Sequence, residues 1–182
     1  MTAQPLRIAM TSYYLPSESK IGAGYMAHRL ANVMQARGHE VTMFSPCVKP
    51  DDAVYSHVHT PITGSLRTFR WANVIRKLDL TGFDLLHAHG DNHLRMPWRQ
   101  PRVVRTMYGS CISEAFRITG AKEKLRMLLL GVTEIFGSLL AADTVAISRA
   151  TLSTYPWIRS IIPCGVDLER FHPGSKEEVP TI

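Results

Sequence analysis

The sequence predicts an α/β fold built on an open, doubly wound parallel sheet, and three observations carry that expectation. Short apolar, β-compatible runs alternate with stretches of helical period along the whole chain. The run from Phe83 to His89 is apolar almost without interruption, as in a strand covered on both faces. Parallel strands need crossovers, and right-handed crossovers place helices on both sides of the sheet.

The elements follow in order. Leu6 to Thr11 reads as a strand, and after a loop holding Pro16 and Gly22 the residues Met26, Leu30 and Val33 recur at helical spacing. Gly38 ends that helix, with Arg37 in its last turn, and Val41 to Ser45 is a strand closed by Pro46. Lys49 to Pro61 reads as loop with a short strand at Ser56 to His59. Leu66, Phe69, Val74, Ile75 and Leu78 restore the helical period, which Gly82 stops before the strand Phe83 to His89. A strand at Arg102 to Thr106 comes next, then a long helix at Ala121 to Ala141. Thr144 to Ile147, Ala150 to Thr154 and Ser160 to Ile162 give strand, helix and strand. Ligands of such sheets sit at the carboxyl ends of the strands.

Composition bounds the class. The chain has 182 residues, 45% of them hydrophobic and 20% charged, enough to bury a full core. No apolar stretch approaches the roughly 20 residues that span a bilayer. Residues 1–10 lack the long apolar region and cleavage site of an export signal, so a cytoplasmic location is expected. Cys47, Cys111 and Cys164 are odd in number and widely separated, which suits neither a disulfide framework nor a metal site. The net charge of +6 fits phosphate-bearing ligands or an anionic membrane surface. Nucleic acid ranks last, because no recognised module or aromatic-basic interleaving accompanies the charge.

Four segments are candidates for chemistry. Gly22-Ala23-Gly24-Tyr25-Met26-Ala27 fits the letters G-x-G-x-x-A, but the loop before it is long and the second strand ends in Phe44-Ser45-Pro46 without an acidic residue, which disfavours a nicotinamide cofactor. What remains is a helix N-terminus of Gly22, Ala23 and Gly24 that can meet a phosphate, with Lys20 close by, or a turn that merely needs glycine. His87, Ala88, His89, Gly90 and Asp91 end a strand. There His89 would face the cleft and donate to a hydroxyl or phosphate oxygen, and His87 is the better core histidine. Tyr108 and Ser110 lie at the next strand end and could hold a substrate, while Cys111 reads as a small helix-start residue. Finally, Arg117, Lys122, Lys124 and Arg126, followed by Met127 to Leu130, could lie on an anionic bilayer or belong to an ordinary packed helix.

The segment Ile161-Ile162-Pro163-Cys164-Gly165-Val166-Asp167-Leu168-Glu169-Arg170-Phe171-His172-Pro173 resembles the I-P-N-G-V-D-x-x-x-F-x-P signature of the group-one retaining glycosyltransferases. The Gly-rich loop with Arg37-Gly38-His39-Glu40-Val41, the strand Phe83 to His89, and Val145-Ala146-Ile147-Ser148 agree in order, so the resemblance covers nearly all of residues 6–173.

It implies the GT-B fold, with residues 1–173 as a Rossmann-like acceptor-binding domain and 174–182 as the linker and first residues of a nucleotide-sugar-binding domain. It also implies that this stretch alone is inactive, that a nucleotide-sugar is a substrate, and that neither cofactor nor metal is needed. Sugar transfer would be of hexosyl type, to a glycan or lipid-linked acceptor of cell-surface polysaccharide or glycolipid synthesis, at or near the inner face of a membrane. The matching residues are Gly22 and Gly24 beside donor phosphates or acceptor, His89 in the cleft, and Pro163, Gly165 and Asp167 in the interdomain signature. Tyr108 stands where many relatives carry His, and Cys164 where they carry Asn. The competing expectation is a standalone, non-catalytic module for an anionic glycan or membrane surface.

Overall fold

The computed structural model describes residues 4–90, 95–96, 98–166 and 168. Asp91, Asp167 and the expected domain boundary at 173/174 lie outside them. The strands are β1 (Arg7–Thr11), β2 (Glu40–Ser45), β3 (Ser56–His59), β4 (Leu85–Ala88), β5 (Arg102–Met107), β6 (Asp143–Ala146) and β7 (Ser160–Ile161). They form one sheet in the order β3-β2-β1-β4-β5-β6-β7, and every pairing is parallel. The helices are α1 (Gly22–Ala36), α2 (Arg67–Lys77), α3 (Cys111–Ala115), α4 (Ala121–Leu140) and α5 (Arg149–Thr154). The sheet is therefore doubly wound, as the alternation of runs predicts.

The direction of travel decides which face each helix covers. From β1 to β3 the chain steps one way along the sheet, and from β3 to β7 it steps the other, so right-handed crossovers put α1 on one face and the later helices on the opposite one. The cores agree. Ala27 and Ala31 of α1 pack on Ile8, Met10, Val41 and Met43, whereas Trp71 and Ile75 of α2 pack on Ala9, Phe44, Leu86 and Val103. Tyr155 and Ile158 close over Met107 and Ala146 on the α2 side.

Two departures have local causes. β4 is shorter than the apolar run Phe83 to His89, because the Phe83 amide closes a turn onto the Leu80 carbonyl and the Asp84 carboxylate accepts from the Arg7 amide. The apolar body of α4 packs on α3 through Met127 and Leu130, both buried with Ala115, rather than through its whole circumference. A Cβ on Gly131 would stand 2.4 Å from Ile112 Cγ1, so α3 and α4 meet as closely as backbone allows. No helix among the described residues is long and apolar enough to cross a membrane.

Candidate functional site

The strand order reverses between β1 and β4, the place where a doubly wound parallel sheet binds its ligands at the carboxyl edge. Residues 12–21 carry the chain from β1 to α1. They are fixed by the Ser12 hydroxyl donating to the Tyr14 carbonyl (2.7 Å), the Ser17 hydroxyl to the Val48 carbonyl (2.7 Å) and the Val48 amide to Glu18 (2.9 Å).

At the start of α1 the N-cap residue is Ile21, which supplies no side-chain acceptor, and the first turn holds no acidic residue. The positive end of the helix is thus left uncompensated by its own side chains. Gly22 is exposed, Ala23 half-buried and Gly24 buried, and Lys20 is exposed just before them. Gly24 is where glycine is required: a Cβ there would stand 2.7 Å from the Tyr14 carbonyl oxygen, while one on Gly22 would meet nothing within 4 Å.

His89 lies one residue past β4, its amide donating to the Thr11 carbonyl at 3.1 Å. Its Nδ1 is 2.7 Å from the Tyr108 hydroxyl, just past β5, and its Nε2 has no hydrogen-bond partner among the described residues. His87, two residues earlier on the same face, pairs through Nε2 with the Thr106 hydroxyl at 2.9 Å, and the two imidazoles stack with centroids 4.5 Å apart. Burial pushes the His87 imidazolium down to about pH 4, and burial with His87 alongside holds His89 well below the ordinary histidine range. Both rings are therefore neutral at physiological pH. With Tyr108 holding Nδ1, His89 Nε2 either donates or accepts a single hydrogen bond.

Ser110 and Cys111 are drawn inward. Ser110 caps α3, accepting from the Ser113 amide at 3.2 Å, and its hydroxyl lies 3.0 Å from that of Tyr155. The Cys111 amide donates to Glu134 at 2.9 Å, and the Tyr155 hydroxyl donates to the same carboxylate oxygen at 2.7 Å. Burial, then the Glu134 carboxylate, push the Cys111 thiol far up, so it stays protonated at the start of α3.

Between α1 and the uncovered part of the sheet lies an apolar cavity of about 600 Å³. Met26 and Arg29 of α1 form one wall, His87, Thr106 and Tyr108 the floor, and the exposed segment 162–166 with Pro163 and Gly165 the far side. The structure thus gathers Tyr108, His87 and the Pro163–Gly165 segment around one space and places Gly22 to Gly24 one helical turn away. His89, expected to face the cleft, is buried and is not among the lining residues, whereas His87, expected in the core, is. Ser110 is separate, behind its α3 contacts. Among the described residues no three His, Cys, Asp or Glu side chains converge as a metal ion would require.

Two functional supports escape the sequence patterns. Arg105 is fully buried and donates to the Gly90 carbonyl at 3.1 Å, holding the residue next to His89. Glu134 is the one charge between Met127 and Ala142, a visible signal, and it ties α3 and Tyr155 to α4.

The family model for Glycosyltransferase Family 4 matches residues 21–170. No curated protein matches the chain. Among solved structures, the crystal structure of WaaG, a glycosyltransferase involved in lipopolysaccharide biosynthesis, superposes with a TM-score of 0.57 at 16% identity over 91% of this chain. This chain covers 44% of the WaaG chain, less than half its length. A glycosyltransferase from Rickettsia africae ESF-5 gives a TM-score of 0.49 at 13% identity, over 86% of this chain and 40% of its own. An alpha-glucosyltransferase in complex with UDP and a 13-mer DNA containing a HMU base gives 0.44 at 13% identity, over 88% and 42%.

Proposed function

The chain belongs to Glycosyltransferase Family 4, and from that premise we propose that it is the acceptor-side domain of a retaining, nucleotide-sugar-dependent hexosyltransferase acting in cell-surface polysaccharide or glycolipid synthesis. The donor is bound by a second domain that follows this one, so residues 1–182 alone do not turn over. The bond between sugar and diphosphate breaks, the acceptor oxygen bonds to the anomeric carbon on the same face, and the departing phosphate takes the acceptor proton. The nucleotide-sugar is a substrate, and the reaction uses no resident cofactor.

The observation that supports this reading most is the His89–Tyr108 pair, 2.7 Å apart at the carboxyl edge where the strand order reverses. A neutral imidazole locked by a phenol offers one oriented hydrogen bond to a sugar or acceptor hydroxyl without attracting the diphosphate itself. The uncapped start of α1 at Gly22 and Ala23, with Lys20, takes the anionic group, a donor phosphate or an acidic acceptor. Pro163, Gly165 and Asp167 belong to the interdomain signature that precedes the donor domain.

Tyr108→Phe tests the assignment. It leaves His89 Nδ1 without its partner and frees the ring, so kcat for sugar transfer by the protein as its source cell makes it is expected to fall by about tenfold or more. Stability should change by only about 1 kcal/mol, the worth of one hydrogen bond. An unchanged kcat would remove the pair from the reaction.

A further inference from the structure

Tyr108 sits in a short span between two fixed ends. At one end Met107, the last residue of β5, stands opposite Ala146 of β6, and its carbonyl accepts from the Ile147 amide at 3.2 Å. At the other end Ser110 is buried and held three ways. Its side-chain oxygen accepts from the Ser113 amide at 3.2 Å, its hydroxyl lies 3.0 Å from that of Tyr155, and its carbonyl accepts from the Glu114 amide at 3.0 Å. Only Tyr108 and Gly109 lie between. Packing around Gly109 does not fix the turn, since a Cβ there would meet nothing nearer than Glu114 Oε1 at 3.6 Å. The direction of the phenol is therefore set from the two ends.

The far end leads to one carboxylate. Tyr155 is fully buried and donates its hydroxyl proton to Glu134 Oε2, so its oxygen accepts from the Ser110 hydroxyl. The Cys111 amide donates to the same Oε2. Each donor in this chain has one assigned acceptor, and the chain ends on Glu134. Hydrogen bonds to a carboxylate are the stronger kind. A buried chain of this sort holds its geometry, because any other arrangement leaves a donor unpaired. Beside it the Ser113 and Thr154 hydroxyls, 3.0 Å apart, tie α3 to α5. None of Ser110, Glu134 and Tyr155 lines the cavity, so a role for them in the site runs through Tyr108.

From these observations we propose that Glu134 is a positioning residue for the Tyr108–His89 pair: through Tyr155 and Ser110 it holds the turn at Gly109 so that the Tyr108 phenol stays on His89 Nδ1. The margin is small. The phenol is 2.7 Å from Nδ1, and a movement of the turn by about 1 Å takes it out of hydrogen-bond reach. Misplacement of that size is enough to slow a reaction whose groups are otherwise intact. Glu134 touches neither His89 nor the cavity and takes no part in the bonds that form and break. The proposal rests on the functional reading for its effect on sugar transfer only, since the state of His89 is read without it.

The test is nitrogen NMR of the chain labelled at histidine, with the His89 Nδ1 resonance assigned by its loss in His89→Gln. Tyr108→Phe marks where that resonance lies without the phenol. Tyr155→Phe and Glu134→Ala are each expected to move it toward that mark, and Glu134→Gln, whose amide oxygen accepts the same two donors, to bring it back. In the protein as its source cell makes it, Tyr155→Phe should lower kcat about threefold or more with KM unchanged, and Tyr108→Phe/Tyr155→Phe should fall no further than Tyr108→Phe alone. Tyr155→Phe removes one oxygen and keeps the ring in its core, so it decides the matter even if Glu134→Ala does not fold. A His89 resonance that Tyr155→Phe leaves in place would overturn the proposal, as would losses in kcat that multiply in the double variant. Failure of the functional reading looks different: Tyr108→Phe then moves the His89 resonance and leaves kcat as it was.

Discussion

Gly24→Ala is expected to destabilise the chain by about 2 kcal/mol, while Gly22→Ala leaves stability unchanged or raises it by a few tenths. The two glycines lie in the same turn of α1, so helix propensity favours alanine equally at both. Space separates them. The added Cβ at Gly24 would stand 2.7 Å from the Tyr14 carbonyl oxygen and 2.9 Å from its carbon, backbone atoms with little freedom because the Ser12 hydroxyl holds that carbonyl. The helix must therefore back away from the β1 loop. At Gly22 nothing lies within 4 Å. Thermal unfolding of the two variants checks this, with a fall of about 4–8 °C expected for Gly24→Ala. Equal melting of both would mean that the loop yields. A lost activity in a Gly24 variant would then report misplacement of α1, so Gly22→Leu is the cleaner probe of anion binding at that helix end.

Acid should destabilise the fold through the histidine pair. His87, held down to about pH 4 by burial, is neutral in the native state and titrates near 6.5 when unfolded. The unfolded chain binds more protons between those values. Stability is therefore full above about pH 6.5 and is lost as pH falls toward 4, by up to about 3 kcal/mol for His87. The figure is an upper bound, because the ring borders the cavity. Stacking at 4.5 Å works the same way, since a charge on either ring opposes one on the other. His87→Gln keeps a donor for Thr106 and removes the titration. Its urea midpoint should fall less than that of the wild type between pH 6.5 and 4.5, and parallel curves would contradict the buried-neutral assignment.

Much of the fold was legible because local and global signals coincide. All seven strands lie where β-compatible runs occur, and the β3 position between Lys49 and Pro61 could be read despite its surrounding loop. The start of β4 could not, because a hydrogen bond from Arg7 to Asp84, distant in sequence, decides where the ladder begins. In the site, His89 and Tyr108 were legible as strand-end residues, but their direct pairing depends on the β4–β5 register, in which Ala88 stands opposite Arg105. Ser110 and Cys111 occupy comparable sequence positions, yet Glu134 and Tyr155 draw them into the protein. The two-sided apolar character of α4 was hidden for another reason: a Leu-rich helix shows periodicity, but only packing shows which period faces inward.

The most direct test of the central claim is a transfer assay with radiolabelled UDP-, GDP- and ADP-hexoses, run on the protein as its source cell makes it and, in parallel, on residues 1–182. The account predicts labelled glycan or lipid from the cellular protein, formed with the anomeric configuration of the donor, and nothing above background from residues 1–182. Comparable transfer by residues 1–182, a product of inverted configuration, or no transfer by the cellular protein would contradict it.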